Sequence, residues 1–179
     1  MRRSTAAIGS AVFFVMAPGV VAGVVPWWLT GWRLQNPTLY WGPVRVLGGG
    51  LVIAGLIVLV QAFARFVGEG LGTPAPVAPP QRLVVGGFYR YVRNPMYVAV
   101  LAIIVGQALV FGQLSLLWYA GIAWLAVAAF VHWYEEPTLA RQFGAAYQAY
   151  RRAVPAWLPR LSAWDPNDRQ PQPDRERGR

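Results

Sequence analysis

Long uncharged apolar stretches, separated by arginine-bearing segments, organise this chain. Ala6 to Leu29 contains no charged residue, and at roughly 1.5 Å rise per residue such a helix crosses a hydrocarbon core of about 30 Å. Val46 to Ala64 forms a second stretch, bounded by Arg45 and Arg65. Pro95 to Phe111 and Leu114 to Tyr134 form a third and a fourth, separated only by Gly112 and Gln113, which predicts a tight helical hairpin. Arg2 and Arg3 ahead of the first apolar run resemble a secretory signal, but the run is long for one and ends in Trp27, Trp28 and Trp32, an interfacial aromatic belt. The pattern predicts four membrane spans.

Direction follows from the arginines of the connecting segments. With four spans, and leaving aside the tail from Arg160 onward, one side holds Arg2, Arg3, Arg65, Arg82, Arg90, Arg93, Arg141, Arg151 and Arg152, and the other only Arg33 and Arg45. Both termini are therefore expected in the cytosol. The segment Thr73 to Pro80 carries proline at positions 74, 76, 79 and 80, which excludes helix and favours an extended linker. Glu136-Pro137 predicts a helix start, after which Leu139, Phe143, Ala146, Tyr147 and Tyr150 recur at helical spacing to about Ala153. Residues 1–160 read as one membrane-embedded domain and 161–179, rich in Asp, Arg, Gln and Pro, as a disordered tail. The expected fold is an all-α integral membrane protein of about four transmembrane helices, with a cytosolic-side loop and a C-terminal amphipathic helix.

Composition narrows the functions. The chain is 56% hydrophobic and 13% charged, against about 25% charged in an ordinary soluble domain. Its 16 basic and 7 acidic residues give a net charge of +9. The arginines are spread between uncharged stretches rather than gathered on one face, so a nucleic-acid partner is not expected. The absence of cysteine excludes disulfides and thiolate chemistry, and a single histidine, His132, argues against a histidine-built metal site or a catalytic triad. All basic residues are Arg, a composition bias typical of a GC-rich genome, so a bacterial inner membrane is the expected location.

Two segments of the expected cytosolic face are dense in functional groups. One is Gly86-Gly-Phe-Tyr-Arg-Tyr-Val-Arg-Asn-Pro-Met-Tyr97; the other begins at Glu135-Glu136 and continues through Arg141, Tyr147, Tyr150, Arg151 and Arg152. The hairpin puts Asn94 and Glu135 at one membrane depth. A purely structural reading makes the arginines topology determinants for anionic headgroups, the tyrosines interfacial anchors and Asn94 a helix cap. The paired acids bring no topological benefit. Carboxylates suit ribose hydroxyls or an ammonium, arginine forks a carboxylate or phosphate, and aromatic faces a purine or a sulfonium. S-adenosylmethionine has all of these groups, although composition alone does not single it out from a nucleotide.

The block Gly87 to Tyr97, the Glu135-Glu136 pair and the block Phe143 to Pro159 together resemble the isoprenylcysteine carboxyl methyltransferase family, whose wider group includes phospholipid N-methyltransferases. The likeness covers roughly residues 82 to 160, with all three blocks in order. It implies a membrane-embedded methyltransferase that binds S-adenosylmethionine from the cytosol and admits a lipophilic acceptor from the bilayer. The family's Arg-His-Pro-x-Tyr motif falls on Arg93, Asn94, Pro95 and Tyr97, its acidic pair on Glu135 and Glu136, and its Tyr-x-x-Tyr helix on Tyr147 and Tyr150. All of these are expected to bind the cofactor. Asn94 stands where the motif usually has His, and it cannot titrate. That favours an acceptor already anionic at neutral pH, such as an isoprenylcysteine-type carboxylate or a thiolate, oriented by Arg151 or Arg152 as the catalytic arginine. Phospholipid amine methylation is the alternative within the enzyme class. The rival outside it is a small non-catalytic membrane protein; coupled transport is disfavoured because the four spans contain no Asp, Glu, Lys or Arg. Oligomeric state is not encoded in any of these features.

Overall fold

A computed structural model describes residues 16–38, 41–70 and 82–165, and the described residues are helical with no strand. Helix α1 (Met16–Thr30) ends at Gly31, whose φ of 57° belongs to the left-handed region that glycine adopts freely. Helix α2 (Gly42–Gly70) is the longest single helix. A 3₁₀ turn, Gly87–Arg90, leads into α3 (Pro95–Phe111), with Pro95 at the first helical position. Gly112, at φ 67°, stops α3 and turns the chain into α4 (Ser115–Phe130). A π-helical turn (Val131–Glu135) then joins α4 to α5 (Glu136–Ala153) without interruption.

Two helical stretches, Gly42–Phe66 and Ser115–Ala153, are long and apolar enough to cross a membrane; Met16–Thr30 and Pro95–Phe111 are shorter apolar helices. The apolar part of the second long stretch ends at Tyr134. The third expected span coincides with α3 and the hairpin turn falls where Gly112 and Gln113 predict it. The first expected span lies partly outside the described residues, as does the proline-rich linker.

Helices α2 and α3 form the most extensive pair. Their contact is made by missing side chains: a Cβ at Gly48 would sit 2.7 Å from the Gly106 carbonyl oxygen, and one at Gly106 would sit 2.7 Å from Val52 Cγ2. Small residues that let backbones touch are a recurrent way of packing helices in lipid, where dispersion and close fit replace the hydrophobic drive. Ala99, Ile103, Ile104 and Ala108 of α3 are buried in the resulting core with Leu59 of α2 and Leu116 and Ala120 of α4.

Both π turns precede a proline. In α1, the Val25 amide bonds Val20 O, which leaves Val21 O without its ladder donor. Pro26 has no N–H to give Ala22 O. These two carbonyls instead accept Tyr119 Oη at 2.8 Å and Gln107 Nε2 at 2.6 Å. In the second turn the Glu136 amide bonds Val131 O, and Pro137 follows. Helix α5 thus starts at Glu136 with Pro137 in its first turn, as the Glu-Pro pair predicts, and it follows the π turn without a break. The amphipathic helix is broken in turn at Gly144, whose φ of 52° and ψ of −125° only glycine adopts readily.

The segment beyond α5 folds back along the approach to α3. Arg93 N donates to Pro155 O, Arg160 N to Tyr91 O, and Trp164 N to Arg90 O. Arg90 Nε returns a bond to Trp164 O at 2.6 Å, and the Trp164 ring packs on Tyr150. The region expected to be a tail is thus docked as far as Asp165; residues 166–179 lie outside the described part.

Candidate functional site

Three short polar contacts join the start of α3 to the region where α4 runs into α5, and a fourth lies within α5. Arg93 Nη1 donates to Glu136 Oε1 at 2.6 Å and to Tyr147 Oη at 3.2 Å. Arg151 Nη2 approaches Glu136 Oε2 at 3.2 Å. Tyr97 Oη donates to Glu135 Oε2 at 3.2 Å. Consecutive residues of a regular helix diverge by roughly 100°. The wide turn that ends at Glu135 nevertheless brings both carboxylates onto the start of α3.

The two acids differ in their surroundings. Glu136 is 8% exposed and shared by two guanidinium groups. Glu135, just beyond the apolar part of the helix, is held above the usual carboxylate range chiefly by burial. The Tyr97 hydrogen bond opposes that shift, the neighbouring Glu136 charge adds to it, and Arg93 draws it down again. Burial likewise raises the Tyr150 phenol, which stays protonated and donates to Tyr89 O at 2.7 Å.

These groups form one end of a cavity of about 380 Å³ that is otherwise mostly apolar. Its walls come from Ala17, Pro18 and Val21 of α1, Leu59 and Phe66 of α2, Met96 and Val100 of α3, and Val127, Phe130 and Val131 beyond. Arg93, Asn94, Pro95, Tyr97, Glu135, Glu136, Tyr147 and Tyr150 all line it. Arg151 and Arg152 do not; both are exposed, Arg151 reaching Glu136 from outside and Arg152 making none of these contacts.

Asn94 is buried and lines the cavity, but its side chain does not cap α3. Its Nδ2 gives one of its two hydrogens to Ala156 O at 3.1 Å. The Arg93 Nε is buried and has no hydrogen-bond partner among the described residues.

Sequence reasoning missed three contributors. Tyr89 lines the cavity and anchors Tyr150. Glu69 Oε2 accepts the Gly86 amide at 3.2 Å and so ties the 3₁₀ approach to α2. The strap from Pro155 to Trp164 holds Arg93 and Asn94 in register. A tryptophan and an apolar run just ahead of the polar tail are the only linear signals of that strap.

Arginine, carboxylates and tyrosines around the polar mouth of an apolar cavity suit a charged ligand beside a lipophilic one. No curated protein and no solved structure matches the chain. The family model described as phospholipid methyltransferase matches residues 43–146, which spans α2, α3, α4 and both acids. The chain belongs to this family of membrane methyltransferases, which unites the phospholipid and isoprenylcysteine carboxyl enzymes.

Proposed function

We propose that the protein methylates a lipophilic acceptor drawn from the bilayer, using S-adenosylmethionine, at the cytosolic face of a bacterial inner membrane. The observation that carries this reading is the apolar cavity of about 380 Å³ with Glu135, Glu136, Arg93 and Tyr97 at one end. Ligand cavities of about 300 to 1,000 Å³ typically combine apolar walls with a few convergent polar groups. The four-span, N-in and C-in topology belongs to the same proposal and is supported by the arginine asymmetry.

The residues fit the cofactor. The Arg93 guanidinium, at the cavity wall, suits its carboxylate, Glu136 is a fixed acceptor for hydroxyl or ammonium groups, and the Tyr97 and Tyr147 rings offer faces to a cation. When bound, the cofactor supplies a methyl group already activated on a sulfonium. The chain then has to orient the acceptor and exclude water.

Glu135 favours an amine acceptor. Its hydrogen bond is to Tyr97, while the guanidinium contacts of Arg93 and Arg151 go to Glu136. An ammonium headgroup must lose a proton before its nitrogen can react, and a buried carboxylate of raised pKa is a suitable acceptor for that proton. An anionic acceptor held by Arg151 or Arg152 has less support, since neither lines the cavity.

Purified protein in detergent should bind S-adenosylhomocysteine, as an accessory protein has no need to. Incubation with methyl-labelled cofactor, a phospholipid amine and a prenylcysteine carboxylate should label the amine. Label on the carboxylate alone would reverse the acceptor assignment, and absence of both binding and label would sink the enzyme reading.

A further inference from the structure

Helix α1 contributes Ala17, Pro18 and Val21 to the cavity wall, yet lies outside the residues that match the family, 43–146. It is also fastened in an unusual way. The π turn strips Val21 O of its ladder donor, Pro26 strips Ala22 O, and the two carbonyls are taken by Tyr119 of α4 and Gln107 of α3. Gln107 is itself fixed, because its Oε1 accepts Trp32 Nε1 at 3.1 Å while its Nε2 serves Ala22. A buried carboxamide satisfied on both sides defines one position of the helix, since sliding α1 by a residue would leave donor and acceptor unpaired. Val21 belongs to both systems: its carbonyl is clamped and its side chain lines the cavity.

We infer that α1 is the specificity wall for the hydrocarbon chain of a membrane-lipid acceptor, and that Gln107 and Tyr119 are positioning residues which set how far that wall stands from the rest of the cavity. The occupant follows from the surroundings. The cavity runs from a carboxylate mouth into apolar residues of helices whose long members are able to cross a bilayer, and the apolar ligand supplied there is a lipid chain. The inference rests on the proposed function for the word acceptor; lipid occupancy itself does not require turnover.

The test therefore has two readouts. Wild-type protein in bicelles is labelled with a phospholipid bearing an acyl-chain diazirine, and the cross-linked residues are mapped by mass spectrometry. Label should fall on Ala17, Val100 and Phe130. Val21→Trp should lose that label, while Val24→Trp, on the exposed side of the same helix, should retain it. In the methyl-transfer assay, Val21→Trp should shift the preference between short and long acyl chains by about tenfold, the scale set by small changes in an apolar pocket, with S-adenosylhomocysteine affinity unchanged. Gln107→Leu should blur the same preference at unchanged cofactor affinity, which a merely structural loss would not do. Label confined to lipid-facing positions, equal loss in both tryptophan variants, or a Val21→Trp effect on the cofactor alone would each overturn the inference. Cross-linking as expected without any methyl transfer would instead uphold the lipid cavity and refute the proposed reaction.

Discussion

The two ends of the α3–α4 hairpin use similar residues to opposite purposes. At the turn end, Arg45 donates to Val110 O at 3.1 Å, to Gln35 O at 3.0 Å and to Asn36 Oδ1 at 2.8 Å. Gln113 and Trp41 likewise serve the Arg33 and Leu109 carbonyls. Every one of these donors completes a backbone or amide acceptor. At the carboxylate end, Arg93 is bonded to the charge of Glu136 and stands beside a second acid, Glu135, whose hydrogen bond is to Tyr97. An arginine that closes off loose carbonyls is architecture. One paired to a carboxylate in the wall of a cavity is chemistry in waiting.

Removing Glu136 tests that contrast most severely. Glu136→Ala takes away the shared partner of Arg93 and Arg151 and leaves the Arg93 guanidinium, 12% exposed, without its counter-charge. Breaking a buried pair from one side costs about 3 to 5 kcal/mol. The variant should unfold at a lower temperature in detergent and should lose S-adenosylhomocysteine binding by titration calorimetry. If it kept both stability and affinity, the carboxylate end would be architecture too.

Glu135→Gln separates the two acids. It retains the shape and the Tyr97 contact, so stability should change little, while turnover of an amine acceptor should fall by about 10²- to 10⁴-fold, the usual contribution of a positioned base. The wild-type rate should also fall as pH decreases, because the base must be ionised. Since burial raises the Glu135 pKa, that fall should begin at a higher pH than for an exposed carboxylate. A pH–rate profile of Glu135→Gln lacking that limb would tie it to this residue; an unchanged limb would assign it elsewhere.

Much of this was legible in the linear pattern because it depends on local rules. Uninterrupted apolar runs mark α2, α3 and α4, a glycine marks the hairpin turn, and two adjacent acids at the end of an apolar run mark the site. What escaped depends on long-range pairing. The strap's bonds from Pro155 and Ala156 to Arg93 and Asn94 cross more than sixty residues and use backbone atoms that every sequence offers. The π turns escaped for a different reason: Pro26 and Pro137 signal a break in the ladder, but only the packed structure decides between ending a helix and widening it. The closeness of α2 and α3 lies between these cases, as glycines are visible but their facing partners are not. Gly106→Leu would drive a side chain into Val52 and the Gly48 carbonyl. Overpacking of this kind costs about 1 to 3 kcal/mol, and the melting temperature should fall accordingly at both ends of the hairpin alike.

The smallest effect is the one that isolates the turn end. Arg45→Ala removes three hydrogen bonds, but two of them are exposed to solvent, where water replaces the lost donor. The net cost should be about 1 kcal/mol, the worth of an ordinary intramolecular hydrogen bond. Because Arg45 does not line the cavity, KM, kcat and cofactor affinity should match wild type once the protein is fully folded. Steady-state kinetics well below the melting temperature measure this directly. A change in KM or kcat there, without a change in stability, would mean that the hairpin transmits between its two ends, and the division between architecture and chemistry would have to be drawn inside α3 rather than at its ends.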